Sequence, residues 1–167
     1  MALSTQKCLS PATQKCLPPA ALQDGELWLD LQAWYPADPE KGRVPGYRFG
    51  IYCDDADAPV GRIGLRVGTA RQLRYPGHIG YEVDPEFRGR RFAARSLVLL
   101  MPFAARLGIP VLWVTSKADN LASRRTLEIA GLRLVDRVEV PDTHHMHDEG
   151  FGTLLRYRKR LNHGRAA

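Results

Sequence analysis

The sequence predicts an α/β fold of the α+β kind, with a mixed, mainly antiparallel central sheet and a strand–helix–strand core. Three observations carry this. Between residues 26 and 83, apolar and polar residues alternate in several short runs, the period of half-buried strands. At Ala93 the period switches, because Ala93, Leu97, Leu100, Ala104 and Leu107 share one helical face. Directly afterwards comes "VLWVTS" at 111–116, a continuous apolar run suited to a strand covered on both faces.

The elements follow in order. The first 22 residues contain a near-repeat, "TQKCLSPA" then "TQKCLPPA", rich in Pro, Ser and Gln, and read as a flexible tail. "ELWLDLQAW" at 26–34 alternates Leu27, Leu29, Leu31 and Ala33, with Trp28 breaking the rule. The prolines and glycines of 36–46 mark a loop. "YRFGIYC" at 47–53 alternates again, "DDADAPVG" at 54–61 reads as a hairpin turn, and Ile63, Leu65 and Val67 alternate over 61–70. "HIGYEV" at 78–83 closes a meander. The helix that follows contains Pro102, which should kink it, and stops at Gly108 with Pro110 beyond. A second helix spans 119–131, capped by Asp119 or Asn120 and ended by Gly131. "LRLVDRVEV" at 132–140 alternates with a phase break near Val135. A final strand covers 151–161, and 163–167 fray. One domain over 23–162 is expected, and 167 residues suffice for a core without staples.

The net charge is +6 and the pI about 9.5, which favours an anionic partner without choosing among nucleic acid, a phosphorylated cofactor and a membrane surface. Cys8, Cys16 and Cys53 form no C-x-x-C pair, so neither a zinc ribbon nor a disulfide framework is suggested. A reducing, cytoplasmic setting is the simplest expectation. No apolar run approaches the length of a membrane span, and with no basic region followed by an apolar core at the N-terminus, no secretory signal is expected. The acidic and His-rich loop "PDTHHMHDEG" at 141–150 carries His144, His145 and His147, a spacing able to bind a transition metal. It reads better as a solvated loop, and no metal is expected.

The densest signal is "VDPEFRGRRFAARSL" from Val83. A strand ends, "DPEF" turns the chain, and a helix starts among Arg88, Gly89, Arg90, Arg91, Phe92 and Ala93. The first N–H groups of a helix lack internal partners and carry partial positive charge. Such a terminus binds phosphate through the backbone, and Gly89 lets an anion approach the chain. Arginines there oppose the helix dipole, so helix stability alone does not place them. The turn reads as a pyrophosphate cradle.

These residues resemble the acetyl-CoA-binding motif of the GNAT N-acetyltransferase superfamily, Arg/Gln-x-x-Gly-x-Gly/Ala at a strand-to-helix turn. Arg88 takes the first position and Ala93 the last, while Arg91 stands where the family usually has its central glycine. A second segment agrees: Asn120, Ser123, Gly131 and Leu132 match the family's Asn-x-x-Ser followed by a Gly-apolar pair. The resemblance covers 75–161. Over 26–74 there is no room for the usual two helices after the first strand. It implies acetyl transfer from acetyl-CoA to a primary amine by direct attack in a ternary complex. It also implies a backbone donor at Val83 for the oxyanion, and contacts from Asn120 and Ser123 to the cofactor arm. Family members often carry a Glu and a Tyr at places that here hold Thr115 and Leu127. Other residues must then supply the acid and base: Glu82 as base, His78 as second choice, Tyr157 or Tyr81 as acid. An ion pair between Glu82 and a strand arginine such as Arg66 is the competing reading. The acceptor, a small molecule or a protein amine, is not readable, and the final strands could pair with a second copy. Two other functions stay open: a CoA-binding module without catalysis, and a basic nucleic-acid binder supported by charge alone.

Overall fold

The computed structural model describes residues 16–18 and 22–162. Eight strands and three helices follow one another in these residues. They are β1 (Gln23–Asp24), β2 (Leu27–Tyr35), β3 (Gly46–Cys53), β4 (Gly61–Arg66) and β5 (Ile79–Val83). Then come α1 (Phe92–Arg106), β6 (Val111–Lys117), α2 (Leu121–Ile129), β7 (Arg133–Glu139), α3 (His145–Asp148) and β8 (Thr153–Arg160). The expected order holds. Two elements are additions: β1, which pairs with β2 across a two-residue turn at Gly25 and Glu26, and α3 within the His-rich loop.

The strands form two sheets, each wholly antiparallel: β1-β2-β3-β4-β5 and β6-β8-β7. The parallel junction expected of a strand–helix–strand unit shrinks to a single point between β5 and β6. There the His78 N–H donates to the Trp113 carbonyl at 2.7 Å, and the Trp113 N–H donates to His78 Nδ1 at 2.9 Å. Past that point the strands part.

One face of the larger sheet carries Leu27, Leu29, Tyr47, Phe49, Ile51, Ile63, Leu65, Ile79 and Val83, all buried. Against it packs the apolar face of α1, with Leu97, Leu100, Phe103 and Ala104 fully buried. Phe103 meets Tyr47 and Phe49 edge-on, at 5.0 and 6.3 Å between centroids. Pro102 lies inside α1 on its exposed side, and Arg106, Leu107 and Gly108 follow before the chain turns. Gly108, at φ 83°, supplies the left-handed residue that lets the Ile109 N–H reach back to the Ala104 carbonyl. Gly131 ends α2 the same way, with Leu132 reaching Leu127. The phase break near Val135 is a bulge in the β7–β8 register between Leu134 and Asp136.

No helices intervene between β2 and β3, only a loop with one 3-10 turn at Pro39–Lys41. Among the described residues, no helix packs over the outer face of the larger sheet, which carries Arg48, Arg62, Gly64, Arg66, Gly80 and Glu82.

Two expectations need correction. Cys16 and Leu22, assigned to the tail, are buried, and the Cys16 N–H donates to the Tyr47 hydroxyl at 3.1 Å. The rest of the tail and 163–167 lie outside the described residues. Cys53 is a free, buried thiol, but Cys16 is disulfide-bonded, so the thiols are not all unpaired. No helix among the described residues is long and apolar enough to cross a membrane.

Candidate active site

The parting of β5 from β6 creates a slot, and ladder phase determines what lines it. The Arg66 N–H donates to His78 O, and the Asp84 N–H to Val60 O. Together with the register Arg62↔Glu82 and Gly64↔Gly80, this assigns the even-numbered residues of β5 to pairing with β4. The backbone groups of Ile79, Tyr81 and Val83 therefore point away from β4, into the slot. On the other side, the Leu161 N–H donates to Pro110 O, and the register Leu112↔Lys159 and Val114↔Tyr157 continues that phase. Thr115 and Lys117 then aim their backbone groups at β5. Two unpaired strand edges face each other, an arrangement that accepts an extended chain carrying amides as a strand would be accepted.

The slot leads from the His78–Trp113 junction towards the N-terminus of α1. Here Arg88 is extended (φ −70°, ψ 161°), Gly89 has φ 83°, and Arg91 is left-handed (φ 61°, ψ 19°). Arg91 thus keeps the backbone conformation of a glycine with an arginine side chain, which stays exposed. No side chain caps α1, and its first turn holds no acid. The initial N–H groups are left for an anion. Phe92 contributes only its main chain, because its ring is buried, as is Ala94. Ala93 is half-buried.

The four arginines divide their work. Arg88 Nε donates to the Val83 carbonyl at 2.9 Å and ties the turn to the end of β5. Arg90 pairs with Asp55 at 2.6 Å and lies over the Phe92 ring at 4.6 Å. Arg95 serves the fold: it bonds Asp24 at 2.7 Å and Glu26 at 2.8 Å, clamping the β1–β2 turn to α1. That guanidinium holds the Glu26 carboxyl down at about 2. Arg88 and Arg91 have neither an ionic nor a stacking partner among the described residues, and of the four Arg91 alone makes no side-chain hydrogen bond there either.

The other wall is α2. Asn120 caps it, its Oδ1 accepting from the Ser123 N–H at 3.0 Å, which leaves the Asn120 amide N–H groups for a ligand. Ser123 Oγ lies 2.9 Å from the Tyr81 hydroxyl, linking β5 to α2 on the helix side of the slot. Burial pushes the Tyr81 phenol up, against hydrogen bonds from Ser123 and Thr126. Tyr157 stands close enough to add to that rise. The Tyr157 side chain is 1 % exposed, and its hydroxyl has no hydrogen-bond partner among the described residues.

Glu82 lies on the outer face and is exposed. Its Oε2 accepts from Arg62 at 2.6 Å, while Oε1 has no partner among the described residues. The ion pair foreseen for Glu82 therefore exists, with Arg62 in place of Arg66. His78 does not fit the base role. It is 2 % exposed, its Nδ1 accepts from the Trp113 N–H, and its Nε2 lies 3.2 Å from the Gly68 carbonyl, to which it donates. Both nitrogens are committed, and burial pulls its pKa down. Its work is to hold the two sheets together. Thr115 donates to the Tyr75 carbonyl at 2.7 Å, and Leu127 is fully buried, so neither offers chemistry. In the His-rich loop, His144 Nδ1 accepts from the Met146 N–H at 3.2 Å and its ring stacks on His145. No group of three or more potential ligands is placed to hold a metal among the described residues.

The family model of the acetyltransferase (GNAT) domain matches residues 2–133. The chain belongs to the GNAT acetyltransferase family. Solved structures share the fold. One is RimL, the ribosomal L7/L12 alpha-N-protein acetyltransferase, in complex with coenzyme A. It has 19% identity and a TM-score of 0.54, over 75% of this chain and 66% of that one. Another is an acetyl transferase from Salmonella typhimurium that modifies the N-terminal serine of ribosomal protein L7/L12, at 20% identity and TM-score 0.54, over 74% and 67%. A third is the microcin C7 self-immunity acetyltransferase MccE with acetyl-CoA and AMP, at 15% identity and TM-score 0.53, over 70% and 61%. The GNAT domain described here spans about two thirds of the length of these relatives. No curated protein sequence matches it.

Proposed function

We propose that this GNAT domain transfers the acetyl group of acetyl-CoA to a primary amine. The observation that carries the reading is the orphaned Tyr157 hydroxyl. A buried donor with no partner costs about 1–3 kcal/mol, and of the four such atoms among the described residues the Tyr157 hydroxyl is the one near Tyr81 of β5, where it supports a ligand group in the slot. The residues present fit acetyl-CoA. The N–H groups opening α1, with Arg88, Gly89, Arg90 and Arg91 around them, suit a pyrophosphate. The slot edges and the Asn120 amide suit the amide-bearing arm, with Ser123 beside it. Bound there, acetyl-CoA supplies an activated acyl group.

The chain's own residues then divide the chemistry. The Val83 N–H donates towards the thioester carbonyl oxygen, where negative charge develops. Glu82 takes a proton from the acceptor ammonium through its free Oε1, while Arg62 orients the carboxylate. Tyr157 hands its proton to the departing sulfur and is reprotonated by the second proton that the acylated nitrogen sheds, so amide and free thiol form. The transfer needs no covalent enzyme intermediate.

The test begins with thermal unfolding. Acetyl-CoA at 100 times its Kd adds about 2.7 kcal/mol, which is a rise of about 5–10 °C for a domain of this size. Adenosine diphosphate should give less, and RNA none. An RNA shift without an acetyl-CoA shift would move the assignment to nucleic-acid binding. Tyr157→Phe should leave acetyl-CoA affinity and stability intact, or raise stability, while slowing thiol release about 10²-fold or more. Unchanged turnover in that variant removes Tyr157 from the mechanism.

A further inference from the structure

The outer face of the larger sheet borders the slot on the side away from the helices, and it is built unusually. Gly64 on β4 and Gly80 on β5 lie directly opposite each other. Glycine weakens a strand and commonly marks close approach of a ligand or another backbone. Neither residue has a positive φ. A methyl on Gly80 would meet only the Arg66 guanidinium, at 3.6 Å, and one on Gly64 nothing nearer than the Tyr47 carbonyl, at 3.6 Å. The fold does not require either glycine.

Around this bare floor stand charged groups in register. Arg48 lies opposite Gly64 on the β3 side, and the Arg62–Glu82 pair forms the next row. Arg66 reaches over Gly80 to within 3.5 Å of the Pro76 and Gly77 carbonyls. Among the described residues, neither Arg48 nor Arg66 has an acidic partner; Arg48 lies over the Tyr35 ring at 5.1 Å. The trough thus holds one carboxylate with a free oxygen and two arginines with unmatched charge. Along β5, the step from Gly80 to Glu82 is about 7 Å.

We propose that this trough is the acceptor subsite, and that Arg66 makes it specific for an amine carrying an anionic group, carboxylate or phosphate, some 7 Å from the nitrogen. This rests on the acetyltransferase reading. The ammonium sits at Glu82 beside the slot, and the anion meets the Arg66 fork, seconded by Arg48. Gly64 and Gly80 let the connecting chain lie flat. The cationic rim also lowers the amine's pKa, which raises the fraction able to attack.

Two pairs test this, one isosteric and one truncated: 5-aminovalerate against 5-aminovaleramide, and 3-aminopropyl phosphate against 3-aminopropanol, read by thiol release. In at least one pair the anionic member should show kcat/KM at least tenfold higher. Arg66→Gln should erase that ratio by raising KM at constant kcat, and Arg66→Lys should restore part of it. Gly80→Ala should keep acetyl-CoA affinity and Tm while raising KM for both members. Equal turnover within both pairs, or a preference that survives Arg66→Gln, overturns the proposal. So does refusal of all four amines by a protein that acetyl-CoA stabilises. If acetyl-CoA leaves Tm unmoved, the failure lies in the transferase reading beneath it.

Discussion

Arg91 occupies a backbone position that costs most side chains about 1–2 kcal/mol, and it is the one such non-glycine among the described residues. Arg91→Gly relieves that strain but gains unfolded-state entropy of about 0.4–1 kcal/mol. Denaturant unfolding should therefore find the variant between unchanged and about 1.6 kcal/mol more stable. Arg91→Val, β-branched, should lose about 1 kcal/mol or more. If the side chain adds to phosphate binding, Arg91→Gly also weakens acetyl-CoA while improving stability, a split that strain alone cannot produce. At this scale the sequence was partly legible. The turn from β5 into α1 at residues 84–91 could be located because backbone geometry at a strand-to-helix turn follows local order. The partner of Glu82 could not, because Arg62 and Arg66 share one sheet face and only the β4–β5 register separates them. Tyr157's orphaned hydroxyl was equally out of reach, since it depends on what the elements packed around it leave open.

Among elements, the joints matter more than the strands. His78 closes the gap between two sheets with its ring as well as its backbone. Its pKa is pulled below the usual histidine value, so the unfolded chain binds a proton that the folded one resists. Its stabilisation is complete above about pH 6.5 and fades as pH falls below that value. Tm should drop between pH 7.5 and 5, and His78→Asn should be less stable at pH 7.5 with a flatter profile over that window. Glu26 acts lower. Its folded value of about 2 lies below the ordinary 4.5, so its contribution is present above 4.5 and lost as pH falls towards 2. Glu26→Gln should flatten the acid limb of the stability profile over that range. Alternation and helical period made every major strand and both long helices readable, including the break at Val135. They could not reveal that β5 and β6 separate, because splay is a relation between elements and leaves no period in either. A lone histidine at the start of a strand looks like a base until Trp113 of the facing strand and Gly68 of the loop after β4 are seen to take its two nitrogens.

For the whole molecule, the two sheets meet at one joint and share a helical cover, and the slot is the gap that remains. Amide hydrogen exchange should show this residue by residue. Without acetyl-CoA, Tyr81 and Val83 should exchange faster than Gly80, Glu82 and Asp84, which are held by β4. Acetyl-CoA should slow the first set and leave the second unchanged. Uniform slowing of both sets would mean global stabilisation without strand-like docking in the slot.

The joint has a consequence for the protein's life in a cell. If acetyl-CoA completes the sheet system, the fold is at its weakest when that co-substrate is scarce. Empty molecules open more often, and opened molecules are the ones proteases remove. The abundance of this protein would then follow the supply of acetyl groups, a coupling of turnover to nutrition that requires no dedicated sensor.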